Sequence, residues 1–118
     1  MHPIVSDADL DSLLAAPLAV LYKHSPICPT SDVAYEEMRA FLRHRTVPVY
    51  MVDVIQHRPL SRALAERIGV RHASPQAIIL REGVVAWHRS HYEIQAEAMT
   101  RVVDHLGGGE PGEGVGPG

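Results

Sequence analysis

Five consecutive apolar residues, Leu18-Ala19-Val20-Leu21-Tyr22, constrain this chain more than any other stretch. The run is of strand length, and without polar alternation it leaves no face for water, so it predicts a central strand covered on both sides. Helices must supply that cover. Ser6 to Ala15 provides one, with a capping serine, acids in the first turn and leucines three and four apart, ended by Pro17. After a loop from His24 to Ile27, Cys28-Pro29 opens a second, in which Val33, Ala34, Met38, Phe41 and Leu42 repeat with helical spacing. Proline is favoured at the first helical position, which puts Cys28 at the N-cap. Val47 to Val54 reads as a second strand, placed at a sheet edge by Pro48, which cannot donate to a ladder. Pro59 to Ile68 is a third helix capped by Gly69. Gln76 to Leu80 and Val84 to His88 flank Arg81-Glu82-Gly83 as an antiparallel hairpin, and Ile94, Ala98, Val102 and Leu106 mark a last helix.

With 118 residues, 46% of them hydrophobic, there is material for one core and no room for a second domain. That domain is expected over residues 1–106. Residues 107–118 hold seven of the nine glycines plus Pro111 and Pro117, cannot bury apolar surface, and read as a disordered tail. A net charge of -3 gives no basic excess for nucleic acid or for a membrane surface. Met1-His2-Pro3 does not open a signal peptide, and no stretch approaches the roughly 18 apolar residues of a membrane span, so a cytoplasmic protein is expected. The single cysteine excludes an internal disulfide. Cys28 is then either a buried inert thiol or one that reacts outside the chain.

Helix, strand, helix, strand, helix, hairpin, helix, with two parallel strands followed by an antiparallel pair, is the thioredoxin arrangement. A four-stranded mixed sheet flanked by helices is therefore expected. At a helix N-terminus the free backbone N–H groups and the macrodipole favour negative charge, so the position of Cys28-Pro29 depresses a thiol pKa. Lys23, the only lysine beside ten arginines, and His24 lie just before the loop and are candidates for a positive field at the sulfur. Alternatively Lys23 is a solvated strand-end charge and His24 a loop histidine bonded to backbone. Ser31 stands where a C-x-x-C motif has its second cysteine, and a hydroxyl cannot expel a sulfur, so any mixed disulfide must be resolved by an external thiol. Ser74-Pro75 precedes the hairpin. In a thioredoxin-like fold such a proline is cis and faces the cysteine, while the backbone before it pairs with the bound thiol like an added strand. Tyr50 and Trp87 read as core or half-buried strand residues and Asp53 as a strand-end cap. The eight histidines are scattered, and His88-x-x-His91 lacks the further ligands of a zinc site, so no metal is expected.

Four stretches then occur in one order: Tyr22 to Ser31 (Tyr-Lys-His-Ser-Pro-Ile-Cys-Pro-Thr-Ser), Tyr50 to Pro59, Gly69 to Gln76, and Trp87-His88-x-Ser90-His91. Together they resemble the monothiol bacilliredoxins of the YtxJ type, over about residues 5–105. The resemblance implies removal of bacillithiol from protein mixed disulfides, with Cys28 accepting the bacillithiol, no bound cofactor, bacillithiol as co-substrate, and an NADPH-dependent flavoprotein reductase regenerating it. Cys28, Pro29, Ser31, Lys23 and His24 form the expected catalytic set, and Ser25, Arg71, Ser74, Pro75, Ser90 and His91 the substrate-binding set. Bacillithiol carries a malate, for which Arg71, Lys23, Arg89 and His91 are the candidate cations. The family usually has Thr before the cysteine, Ile after Cys-Pro and Glu before Ser-Pro-Gln, where this chain has Ile27, Thr30 and Ala73. Two rival readings are an iron-sulfur carrier resembling monothiol glutaredoxins and a non-catalytic interaction domain with an inert Cys28.

Overall fold

The computed structural model describes residues 1–107. The tail expected at 107–118 lies, apart from Gly107, outside the described residues. In chain order the elements are β1 (His2–Pro3), α1 (Asp7–Ala15), β2 (Leu18–His24), α2 (Pro29–His44), β3 (Val49–Asp53), α3 (Arg58–Ile68), β4 (Gln76–Arg81), β5 (Val84–Ser90), a 3-10 turn (His91–Glu93) and α4 (Ala96–His105). The strands form one mixed sheet in the order β1-β3-β2-β4-β5. β2 and β3 are parallel, as are β1 and β3, while β4 runs antiparallel to both β2 and β5.

Two expectations are corrected here. The sheet has five strands and not four, because His2 and Pro3 pair with Tyr50 and Met51. Two residues are too few to show any periodicity, so the sequence pattern could not reveal this strand. For the same reason β3 is not the edge strand. Pro48 stands just before it, where its carbonyl accepts the Val20 N–H at 2.9 Å and its missing donor costs the ladder nothing.

The central apolar run behaves as its composition requires. Ala19 and Leu21 pack with Leu10, Leu13 and Leu64 of α1 and α3, whereas Val20 and Tyr22 pack with Ala34, Met38, Phe41, Met99 and Val103 of α2 and α4. In β4, Ile78 and Leu80 join the first layer and Ala77 and Ile79 the second. This period of two fixes what lies at the strand end: Lys23 continues the α1/α3 face, and His24 the α2/α4 face. At the start of α1, Ser6 and Asp9 form a reciprocal capping box. At the end of α3, Gly69 takes the left-handed conformation (φ 71°) that releases the chain toward β4.

Candidate active site

Three loops leave the sheet at one end. The last residue of β2, His24, pairs with Asp53 at the end of β3, and on the other side Lys23 pairs with Gln76 at the start of β4. Residues 25–28, 54–57 and 73–75 are thereby brought together. Between them opens a cleft of about 410 Å³ lined by Ser25, Ser74 and His72 and, from α3, by Arg58, Ser61 and Arg62.

The Cys28 loop is built from its own short contacts. Cys28 is the N-cap of α2 with extended backbone (φ -99°, ψ 121°), and Pro29 takes the first helical position without losing a hydrogen bond. The Cys28 N–H donates to the Ser25 carbonyl at 3.2 Å, and the Cys28 carbonyl accepts from the Ser31 N–H at 2.9 Å. Ser31 is fully buried, and its Oγ accepts the Ser25 N–H at 3.2 Å. The Tyr22 hydroxyl donates to the Ser31 carbonyl at 3.2 Å. Ser31 is thus occupied in fastening the loop to the helix.

The sulfur is partly exposed and lies 2.9 Å from the Thr30 hydroxyl. The thiol pKa falls below its ordinary 9.0, first through the Thr30 side chain and then the Thr30 backbone N–H; burial opposes this, the Ser31 backbone N–H adds a smaller lowering, and the Asp32 carboxylate opposes least. Donors at the helix start favour the thiolate, the nucleophilic form of the group. The hydroxyl usual before the cysteine in the resembled family is absent at Ile27, and Thr30 supplies one from the other side.

Neither Lys23 nor His24 is among the groups that lower the thiol. Strand parity has turned them apart. Lys23 is not a solvated strand-end charge: it is fully buried, and its Nζ donates to Nδ1 of His72 at 3.2 Å. Burial pulls its pKa down to about 8, so it is still cationic at neutral pH. His72 is held below its ordinary value by burial, and then by the charges of Lys23, Arg58 and Arg62, so a neutral ring accepts the Lys23 proton. His24, on the α2 side, has Nδ1 2.8 Å from the Tyr22 hydroxyl and its ring centroid 5.6 Å from that of Tyr35.

The Ser74–Pro75 peptide is cis. The Gln76 side chain ties the turn before it, accepting the Ala73 N–H at 3.4 Å and donating to the Arg71 carbonyl at 3.1 Å. The Pro75 carbonyl accepts the His91 N–H at 3.1 Å. His91, itself in the left-handed region (φ 53°), therefore braces this turn through its backbone, and Ser90 sits opposite Gln76 at the end of β5. Of the expected substrate-binding residues, Ser25 and Ser74 line the cleft. Arg71, Pro75, Ser90 and His91 do not. Arg89 lies 5.2 Å over the Trp87 ring and bonds the His88 carbonyl, well occupied elsewhere.

The cations that do reach the cleft, Arg58 and Arg62, were missed as candidates for the malate. Their signal was available: residues four apart share one face of a helix, and Ser61 falls on that face three after Arg58. Among the described residues no group of three or more His, Cys, Asp or Glu could hold a metal ion. Nor is any helix among them long and apolar enough to cross a membrane.

Residues 2–99 match the family model for the monothiol bacilliredoxin BrxC. Among solved structures, a thioredoxin-fold protein provisionally described as an oxidoreductase superposes with a TM-score of 0.78 at 29% identity, covering 86% of this chain and 91% of that one. A single-site mutant of thioredoxin from Halobacterium salinarum NRC-1 gives 0.71 at 13% identity over 88% of each chain. Thioredoxin f2 of Chlamydomonas reinhardtii gives 0.69 at 14%, covering 90% and 95%. The last two identities speak for the fold alone.

Proposed function

Since the chain belongs to the monothiol bacilliredoxin family, we propose that it strips bacillithiol from protein mixed disulfides through Cys28. The Cys28 thiolate attacks the bacillithiol sulfur of the modified protein. That disulfide breaks, the protein sulfur leaves as thiolate and takes a proton from water, and Cys28 is left bonded to bacillithiol. The thiolate of a second bacillithiol attacks the carried one, a bacillithiol disulfide departs, and Cys28 is free again. In sum, a protein–bacillithiol disulfide and one bacillithiol give a protein thiol and bacillithiol disulfide. Reduction of that product falls to an NADPH-dependent flavoprotein reductase, and the setting is the cytoplasm. The protein itself binds no cofactor.

One observation carries this reading: a partly exposed sulfur at a helix N-cap, its pKa lowered by Thr30 and two backbone N–H groups, with no second cysteine in the chain. An inert thiol of an interaction domain would be enclosed in apolar packing and its pKa raised. Ser31 cannot act as a resolving group, since its Oγ is buried and holds the Ser25 N–H. Resolution must therefore come from outside. Ser74 supports docking of the disulfide, because among the described residues nothing engages its backbone N–H or carbonyl, which leaves that edge open to an extended segment.

The test exposes the protein to bacillithiol disulfide and, separately, to glutathione disulfide, and weighs Cys28 by mass spectrometry. The expected result is preferential bacillithiol capture at Cys28 and none in Cys28→Ser. Equal capture of both thiols would refute the substrate, and capture of neither would refute the exchange chemistry.

A further inference from the structure

The cleft beside the Cys28 loop contains more positive charge than exchange chemistry at the sulfur requires. Arg58 and Arg62 line it from one face of α3, and neither has an ion-pair partner among the described residues. No carboxylate lines it. Lys23 stands behind His72 as a third cation, fully buried. Two hydroxyls in the same wall are orphaned. Ser61 is 2% exposed, and both its Oγ and that of Ser74 are buried without any hydrogen-bond partner. Buried polar groups nearly always find a partner, so two of them beside two unpaired guanidiniums describe donors waiting for an acceptor. The volume of about 410 Å³ suits a small molecule.

We propose that this cleft is a carboxylate subsite. It seats the dicarboxylate end of the small thiol, with Arg58 and Arg62 gripping the carboxylates and the Ser61 and Ser74 hydroxyls donating to them. Ser25 and Ser74 belong both to this cleft and to the two segments that frame the sulfur and the cis-proline. A thiol with its sulfur at Cys28 and its acidic end against α3 would therefore span one continuous surface. Guanidinium forks match carboxylates bidentately, which a lone ammonium does not. The assignment replaces the malate cations expected from sequence, and it rests on the bacillithiol reading for the identity of the thiol.

Two measurements separate this inference from that reading. The first needs no exchange chemistry: free malate is titrated into the protein while the His72 ring is followed by NMR. An anion between Arg58, Arg62 and His72 stabilises the protonated ring, so the His72 pKa should rise in the wild type and stay put in the Arg58→Gln/Arg62→Gln variant. No movement in the wild type overturns the subsite, whatever the exchange assay shows. The second compares turnover of a peptide disulfide of bacillithiol with that of cysteinyl-glucosamine, which lacks the malate. The selectivity ratio in kcat/KM should fall about tenfold or more in the double variant and recover in part in Arg58→Lys/Arg62→Lys. A ratio unchanged by the variant refutes the subsite and spares the exchange reading. If the malate shift is seen but neither disulfide is turned over, the subsite stands and the exchange reading fails. Acidic residues of a client protein offer the same carboxylate chemistry, and a loss that tracks the acidity of the peptide and not the malate would overturn the assignment to the small thiol.

Discussion

The two sides of the β2 strand end handle charge in opposite ways. Toward α2, the thiol pKa is lowered by neutral donors from two adjoining residues, Thr30 and Ser31, at the start of the helix. Toward α3, three cations from two separate segments, Lys23 of β2 and Arg58 and Arg62 of α3, gather at a cleft, and one of them, Lys23, is fully buried. The difference teaches that activating the thiol and recognising what it carries are physically separable in this fold. Activation is a matter of a few ångströms of contiguous backbone. Recognition depends on strand parity and on where a crossover helix lands.

The largest expected effect lies on the α3 side and concerns stability. Burial lowers the Lys23 pKa from 10.5 to about 8. Between those values the unfolded chain binds more protons than the folded one, so unfolding free energy rises with pH through that window and the cost of the buried charge is present in full below it. A shift of this size corresponds to roughly 3 kcal/mol. Urea melts of Lys23→Met should show a variant more stable than wild type at pH 7 by up to about that amount, less whatever packing it loses. The gap should close toward pH 10.5. A gap independent of pH would mean that Lys23 reaches water. Alkylation of Cys28 in the same variant should keep its wild-type pH profile, and a displaced profile would join the two sides that the structure holds apart.

A smaller effect is expected where the two sides meet, at Ser31. In Ser31→Ala the Ser25 N–H loses its acceptor in a buried place, at a cost of about 1 to 2 kcal/mol in chemical melts. The backbone N–H that serves the sulfur remains. Thiol reactivity should therefore change less than stability does, and a large loss of reactivity would show that the Ser31 side chain takes part in the chemistry after all.

The same contrast explains what was legible in the sequence. Cys28-Pro29-Thr30-Ser31 is contiguous, and proline at a helix start has one placement, so the N-cap position of Cys28 could be read directly. The unbroken Leu18–Tyr22 run announced burial on both faces. Ser74-Pro75, standing before two apolar runs joined by Arg81-Glu82-Gly83, identified the other frame of the site. What could not be read depends on distance along the chain. Lys23 and His24 are adjacent, and nothing in their order reveals that one faces His72, 49 residues on, and the other Tyr22 and Tyr35. Arg71 and Arg89 are named from sequence and Arg58 and Arg62 are not, because which arginines meet over a cleft is settled by the α3 crossover. β1 escaped because two residues carry no pattern, and without it β3 looked like an edge.

The smallest effect tests the α2 side at its most local point. Thr30 is the first cause of the lowered thiol pKa, yet the helix start supplies two backbone donors that no side-chain change removes. In Thr30→Val the shape of the residue is kept and the 2.9 Å contact from hydroxyl to sulfur is lost. The thiolate is then less favoured, so the alkylation profile should move to higher pH. With iodoacetamide at pH 7 the rate should drop about threefold. Thermal stability should hardly change, because Thr30 is only partly buried and, among the described residues, makes no other side-chain hydrogen bond. The direction of the shift decides between two accounts of the site. If the profile does not move, the backbone and the helix dipole alone hold the sulfur, and the exchange of Ile27 and Thr30 against the family pattern has no chemical consequence. If it moves as expected, the hydroxyl that the family usually carries before its cysteine has been replaced in this chain by one on the first turn of the helix.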